Sequence, residues 1–294
     1  MNHLLTKLKT KVINFVLDFK SSWNLRLSLS LPYIIFSFIF IVIPLLLLFI
    51  KSVSPVEFEN NYQSIKTNFS VVREASTWLI IWRSVYLGIL TALICLIFAL
   101  PYAFFVSTNK SKAFKIYAIS LIVSPLVIFT IAKVFSLRAL FVAIFDDEEL
   151  NNQGFMLLGL VFLNFPFMVI PLYTVFRDMS KNLLEASADL GYNKFQTLIK
   201  VALPYGLKAI FSGIALVFLM AATSIVISDK LLPSGQQNQL IGNFINNSAN
   251  LANPFDLAKT SSLVLITILV LLEIYGLIYF VPLAIMKFKG VEHD

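Results

Sequence analysis

Two acidic side chains stand where an acid is expensive. Asp229, in ISDK, closes one long apolar run, and Glu273, in LLEIYG, lies inside another. An ionisable group at bilayer depth marks a route or a pairing by default. Carboxylates and aromatic faces both attract ammonium groups, and Asp229, Glu273, Tyr102, Phe167 and Tyr173 are residues of these types in or beside the apolar runs. Each has a plainer reading: Asp229 as an interfacial residue paired with Lys230, Glu273 as a partner for a base such as Lys208, the aromatics as membrane core. Lys133 and Arg138 do not suit a cation path, and snorkelling to the outer headgroups accommodates them most simply.

Bond-making chemistry finds little support. The two histidines, His3 and His293, lie in the tails, and the single cysteine, Cys95, sits in an apolar run without metal-ligand spacing around it. Neither HExxH nor GxSxG occurs, which argues against an intramembrane enzyme. The absence of GxxxxGK[ST] means that the chain has no phosphate-cradling loop of its own. No catalytic, metal or cofactor residue is assigned.

The elements that position these residues are membrane helices. Of 294 residues 58% are hydrophobic and only 13% charged, half the charge of an average soluble domain. The net charge of +7 does not indicate nucleic-acid binding, because the bases flank apolar runs and form no soluble basic face. The apolar residues gather into runs long enough to cross a bilayer, at about 30–50, 81–107, 116–143, 155–176, 206–227 and 261–285. An all-α polytopic fold of six spans follows, since only helices satisfy their own backbone in lipid and no alternating barrel pattern is present. Segment 30–286 is thus the membrane domain, 1–29 a basic amphipathic segment and 287–294 a tail. The N-terminal segment either lies on the anionic inner leaflet or acts as a simple orientation signal.

Basic residues crowd the N-terminal segment and the turns at 108–115 and 177–204, whereas 144–154 carries Asp146, Asp147, Glu148 and Glu149 and no base. By the positive-inside rule both termini face the cytoplasm. The acid run is a solvated loop, with attraction of cations or of a binding protein as the other reading. Pro44, Pro101, Pro125, Pro166 and Pro171 punctuate the spans, and each removes a backbone donor and loosens its helix.

The polar segment between spans four and five is the odd feature. LLEASADLGYNKFQTLIKVALP, residues 183–204, reads as two short helices. Ser180 is placed to cap the first, and Gly191 falls where a helix end turns left-handed. Asn193 and Gln196 have the spacing of a capping box for the second, with Phe195, Leu198, Ile199 and Ala202 expected on one face and Pro204 at the junction with span five. An ordered amphipathic helix beside a membrane suits docking into a groove of another protein.

Glu185, Ala186, Ser187, Gly191, Val201, Leu203 and Pro204 follow the pattern EA-A-xxx-G-x9-I-x-LP, with Ser187 replacing the usual Ala and Val201 the usual Ile. In this the chain resembles the membrane-spanning subunits of ATP-binding-cassette importers. From about residue 30 to 280 it looks most like the B-type permease of spermidine/putrescine importers, less so in span three and the 144–154 loop. The resemblance implies a type I importer permease in the cell membrane that carries no ATPase. Its partners would be an ATPase dimer using ATP and Mg, a second homologous permease and an extracytoplasmic binding protein. Glu185, Ala186, Ser187, Asp189, Gly191, Leu203 and Pro204 would couple the bundle to the ATPase. A polyamine cargo, as the resemblance implies, would make Asp229 (by its family position), Glu273, Tyr102, Phe167 and Tyr173 candidates for a cation path; inorganic anions, iron or thiamine are alternative cargoes, and a secondary transporter or channel is the rival mechanism.

Overall fold

The computed structural model describes residues 30–146, 149–232, 238–250 and 252–288. The expected amphipathic segment 1–29, the middle of the acid run and the last six residues lie outside the described residues.

Among the described residues the regular structure is helical apart from one small hairpin. Helix α1 (Leu31–Val53) contains a wide π turn at Phe38–Val42. It leads into the antiparallel pair β1 (Val56–Phe58) and β2 (Asn61–Gln63), turned through Glu59 and Asn60 at positive φ. Two single-turn helices, α2 (Ile65–Asn68) and α3 (Ser70–Arg73), precede α4 (Ala75–Thr108). Then come α5 (Lys112–Val123), α6 (Thr130–Val142), α7 (Gln153–Asp178) and α8 (Lys181–Asp189). Helix α9 (Lys194–Tyr205) holds a second π turn at Leu198–Ala202. Helices α10 (Leu207–Ala222), α11 (Val226–Lys230), α12 (Ile241–Ser248) and α13 (Pro254–Phe288) complete the order.

Among the described residues four helices, α1, α4, α7 and α13, are each long and apolar enough to cross a membrane alone. The other two expected spans are broken. The third bends by 103° between Val127 and Thr130, and the fifth by 80° at Gly206. Span five was expected to reach 227, but its helix stops at Ala222 and Val226–Lys230 forms a separate turn. Of the prolines, Pro101, Pro166 and Pro171 lie within continuous helices. Pro125 sits in the 3-10 turn Ser124–Val127 at the break in span three.

The core is a bundle of α4, α7 and α10. Small residues let these helices approach closely, the main source of association where lipid is as apolar as leucine. A Cβ on Gly88 would come within 3.0 Å of the Phe218 ring, and one on Gly213 within 2.8 Å of the Met168 sulfur. Hydroxyls inside the bundle return their protons to the preceding turn, as Thr91 does to Leu87 O at 2.7 Å and Thr267 to Leu263 O at 2.8 Å. That closes their hydrogen bonding without water. Helix α1 packs on α13 and exposes its apolar side chains along its whole length, Phe36 and Phe40 among them.

At the hairpin end a buried polar clasp ties four elements together. Asn68 Nδ2 donates to Ser52 O at 3.1 Å and Ser54 O at 2.8 Å. Gln63 Nε2 donates to Asn68 Oδ1 at 2.8 Å and to Phe255 O at 3.1 Å. The free carbonyls ending α1 thus find a donor on α2, and Gln63 of the hairpin holds that donor in place and pins the start of α13 beside it. Tyr86, three turns into α4, donates to the side-chain carbonyl of Gln153 and so ties α4 to the start of α7.

Candidate functional site

At the opposite end of the bundle, α8 and α9 form the elbow joining α7 to α10. Its geometry is set locally. Ser180 Oγ accepts from Asn182 N, capping α8. The helix ends with two reverse bonds, Tyr192 N to Ser187 O at 3.0 Å and Gly191 N to Ala188 O at 2.9 Å. This is the Schellman pattern, and it needs the left-handed φ of 77° that Gly191 supplies. Asn193 Oδ1 then accepts from Gln196 N at 2.8 Å while Gln196 Oε1 accepts from Asn193 N at 2.9 Å, a complete capping box. The Lys200 ammonium stands 4.4 Å from the centre of the Tyr192 ring and braces the turn.

The expected docking residues separate into two groups. Glu185, Ala186, Asp189, Gly191 and Pro204 are exposed, together with Leu183 and Leu190, the latter 71% accessible. Ser187 is buried: its hydroxyl donates to Leu184 O at 2.8 Å and meets Thr197 Oγ1 at 3.1 Å. Leu203 is half-buried against the core. The single apolar face expected for the second helix divides. Leu198 and Ala202 are buried, but Phe195 and Ile199 are exposed. The π turn at Leu198–Ala202 inserts an extra residue per turn, so a 3.6-residue period does not hold through it.

Between the elbow and the end of α4 lies a recess of about 300 Å³ lined by Phe104, Phe105, Thr108, Leu184, Tyr192 and Thr197. Gly206, unmarked by sequence reasoning, makes the bend into α10 possible. A Cβ there would come within 2.8 Å of the Phe176 ring. The only signal was a glycine directly after LPY at a helix junction.

The cation-path candidates are dispersed. Asp229 is exposed and paired with Lys230 Nζ at 2.8 Å, the plainer of its two readings. Glu273 is exposed on α13 between Leu272 and Leu277, with no hydrogen bond or ion pair to Lys208 or to any other described residue. Tyr102 donates to Ala118 O at 2.8 Å, fastening α4 to α5, and its ring meets Phe165 edge-on. Tyr173 is half-buried against the core. Phe167 lines a cavity at the break in span three, shared with Lys133 and Asn164. Lys133 is half-buried there, and Arg138 donates to Lys230 O at 3.3 Å. Asn164, a polar residue in the middle of an apolar run, was the sequence signal for this cavity. Among the described residues no three His, Cys, Asp or Glu side chains cluster as metal ligands.

Six apolar crossings, two of them broken, and a capped elbow between the fourth and fifth define a membrane transport component. Residues 110–284 match the family of the binding-protein-dependent transport system inner membrane component. The chain belongs to that family. It is a permease subunit of an ATP-binding-cassette importer, a non-catalytic, multi-pass component of the inner membrane that works with a binding protein. Among curated relatives it is 31% identical over 280 residues to the spermidine/putrescine transport system permease protein PotB homologue of Mycoplasma genitalium, covering 90% of this chain and 96% of that protein. It is 30% identical over 209 residues to the Escherichia coli spermidine/putrescine transport system permease protein PotB, covering 66% of this chain and 75% of that one. A bacterial ABC transporter that imports the acidic polysaccharide alginate has a chain that superposes with a TM-score of 0.64 at 16% identity, covering 87% of this chain and 95% of that one. This last likeness is one of fold.

Proposed function

We propose that the chain forms one half of the translocation path of a polyamine importer, carrying spermidine or putrescine inward. The relatives named for these cargoes support the cargo class, and Glu273, an acid at membrane depth without a paired cation among the described residues, fits a polycation. A second homologous permease would supply the other half, and a pair of ATPase subunits the energy.

The observation that carries the coupling reading is the elbow. It is stiffened at both turns, joined directly to the two spans it would move, and exposes Glu185, Ala186, Asp189 and Leu190 on one short helix. In this reading α8 sits in a groove of one ATPase subunit on the cytoplasmic side, with both termini of the chain on that side. Closure of the ATPase pair pushes the elbow. Helices α7 and α10 then rock, with Gly206 taking up the bend.

Reconstitution of the chain with its companion subunits and a binding protein tests the reading. ATP-dependent uptake of labelled spermidine should be competed by putrescine and abolished by vanadate. Uptake of a cargo such as thiamine or an inorganic anion, uncompeted by polyamines, would reject the cargo while leaving the importer class in place.

A further inference from the structure

The break in span three opens a cavity of about 220 Å³ that the elbow mechanism does not use. Leu126, Ile128, Lys133, Asn164, Phe167 and Ser224 line it. Asn164 and Phe167 flank the middle of the 26-residue α7, so the cavity lies near the centre of the bilayer. Asn164 is 5% exposed, and its Nδ2 donates to Leu160 O at 2.8 Å. Lys133 is half-buried, and its ammonium makes no hydrogen bond or ion pair among the described residues. Among the described residues no carboxylate lines the cavity.

Two further features show what must cover it. Val127 and Phe129, on the rim, are each 85% accessible, so an apolar surface is missing above them. Phe129 gives α6 no side-chain cap, which leaves the first N–H groups of that helix wanting an acceptor. Lipid tails offer none, and non-helical backbone at this depth is tolerated only where protein or a cavity surrounds it. Water in an open cavity would serve these groups, but a protein neighbour that closes the cavity must be apolar around its edge and bear a negative oxygen at its centre. A phospholipid phosphate has the charge, but it sits at the membrane surface and not beside the middle of α7.

We infer that Lys133 forms an ion pair with a carboxylate on a membrane helix of the companion permease subunit, which closes this cavity. The inference rests on the reading of the chain as one half of a two-permease path. It also resolves a conflict within that reading, because pairing removes a stray positive charge from a route proposed for polycations.

The test uses the complete transporter, co-expressed with its companion subunits and held in nanodiscs. A hydrophobic carbodiimide joins an amine to a carboxylate only when the two are in contact. Mass spectrometry should find one crosslinked peptide linking Lys133 to an acid of the companion permease, absent from Lys133→Met. Lys133→Met should lower recovery of the companion at least roughly tenfold, as expected for leaving a buried charge unpaired. Lys133→Arg should keep it, and Lys133→Glu should be rescued by lysine at the crosslinked acid. Normal assembly of Lys133→Met without any crosslink in the parent would overturn the inference. So would a crosslink to a second copy of this chain, or restoration of assembly by anionic lipid alone. These readouts need no cargo, so they fail independently of the polyamine uptake assay. The presence of two permease species in the purified complex checks the two-half reading on its own.

Discussion

The hydroxyls of Ser187 and Thr197 meet at 3.1 Å in the crook of the elbow, ten residues apart in sequence and on different helices. They are the direct side-chain tie between α8 and α9, and both are buried. Ser187→Ala should cost about 1 kcal/mol, the usual net worth of one hydrogen bond, since Thr197 Oγ1 keeps its bond to Asn193 O at 3.1 Å. Ser187→Leu should force the two helices apart. The expected outcome is near-normal uptake for the alanine variant. The leucine variant should assemble in the membrane but show uptake and cargo-stimulated ATP hydrolysis that fall together. Comparable uptake in both would mean that the tie is irrelevant to coupling.

Gly191 separates backbone strain from steric clash. Its φ is 77°, and no atom of the described residues lies within 4 Å of where a Cβ would sit. Any penalty within this chain therefore comes from the left-handed conformation, about 1–2 kcal/mol for a residue with a Cβ. Gly191→Asn should cost least, because Asn tolerates that region. Gly191→Val should loosen the α8–α9 turn and uncouple transport while membrane insertion remains normal. The check is ATPase activity against uptake across the Asn, Ala and Val series; a flat series would contradict the lever.

Most of the elbow could be read from sequence because its signals are local. Ser180, Gly191 and the Asn193–Gln196 pair act over three or four residues, and no tertiary contact overrides them. The unbroken spans could be read for the same kind of reason, since twenty apolar residues suffice to state that a segment crosses. The breaks could not. Pro125 stands in one, but Pro101, Pro166 and Pro171 look identical in sequence and are accommodated in continuous helices. What sets the other bend is Gly206 against the Phe176 ring, a contact between residues thirty apart. The π turn that divides Phe195 and Ile199 from Leu198 and Ala202 likewise leaves no mark in composition. The clasp of Gln63, Asn68 and Ser52 was hidden in a stretch that reads as an ordinary polar loop.

Three glycines should rank by what their Cβ would meet. At Gly242 it would fall on the Thr223 carbonyl, rigid backbone that cannot yield. At Gly206 it would meet the Phe176 ring at 2.8 Å, and at Gly213 the flexible Met168 thioether at the same distance. Overpacking costs about 1–3 kcal/mol where neighbours can shift, and more where they cannot. Alanine variants should lose thermal stability in detergent in the order Gly242, Gly206, Gly213, with Gly213→Ala close to the parent. A different order would mean that these helix crossings are looser than described.

Tyr102 offers a choice between fastening and cargo contact. Its hydroxyl is committed to Ala118 O at 2.8 Å. Tyr102→Phe should therefore lower stability by about 1 kcal/mol, leaving the ring in place against Phe165. The KM for the cargo should not change. A rise in KM without loss of stability would put the hydroxyl in the path instead.

Glu273 carries the strongest expectation for cargo, because its position leaves few alternatives. It lies within an apolar stretch of α13, flanked on the same exposed side by Leu269, Leu272 and Leu277. A carboxylate facing lipid there would be costly. Its surroundings in the working complex must therefore supply either a cation or water. If that cation is the cargo ammonium, Glu273→Gln removes the charge at constant shape. The KM for spermidine should then rise about tenfold, equivalent to about 1.4 kcal/mol, with assembly unchanged. Asp229 is the internal control. Its partner Lys230 is already 2.8 Å away and both side chains are more than 40% exposed, so the pair should contribute at most about 1 kcal/mol. Asp229→Asn should leave KM nearly unaltered. If Asp229→Asn raised KM and Glu273→Gln did not, the path would run past the end of α11 and not along α13. Disruption of assembly by Glu273→Gln, with KM unchanged in the complexes that form, would assign the acid to the seam between subunits.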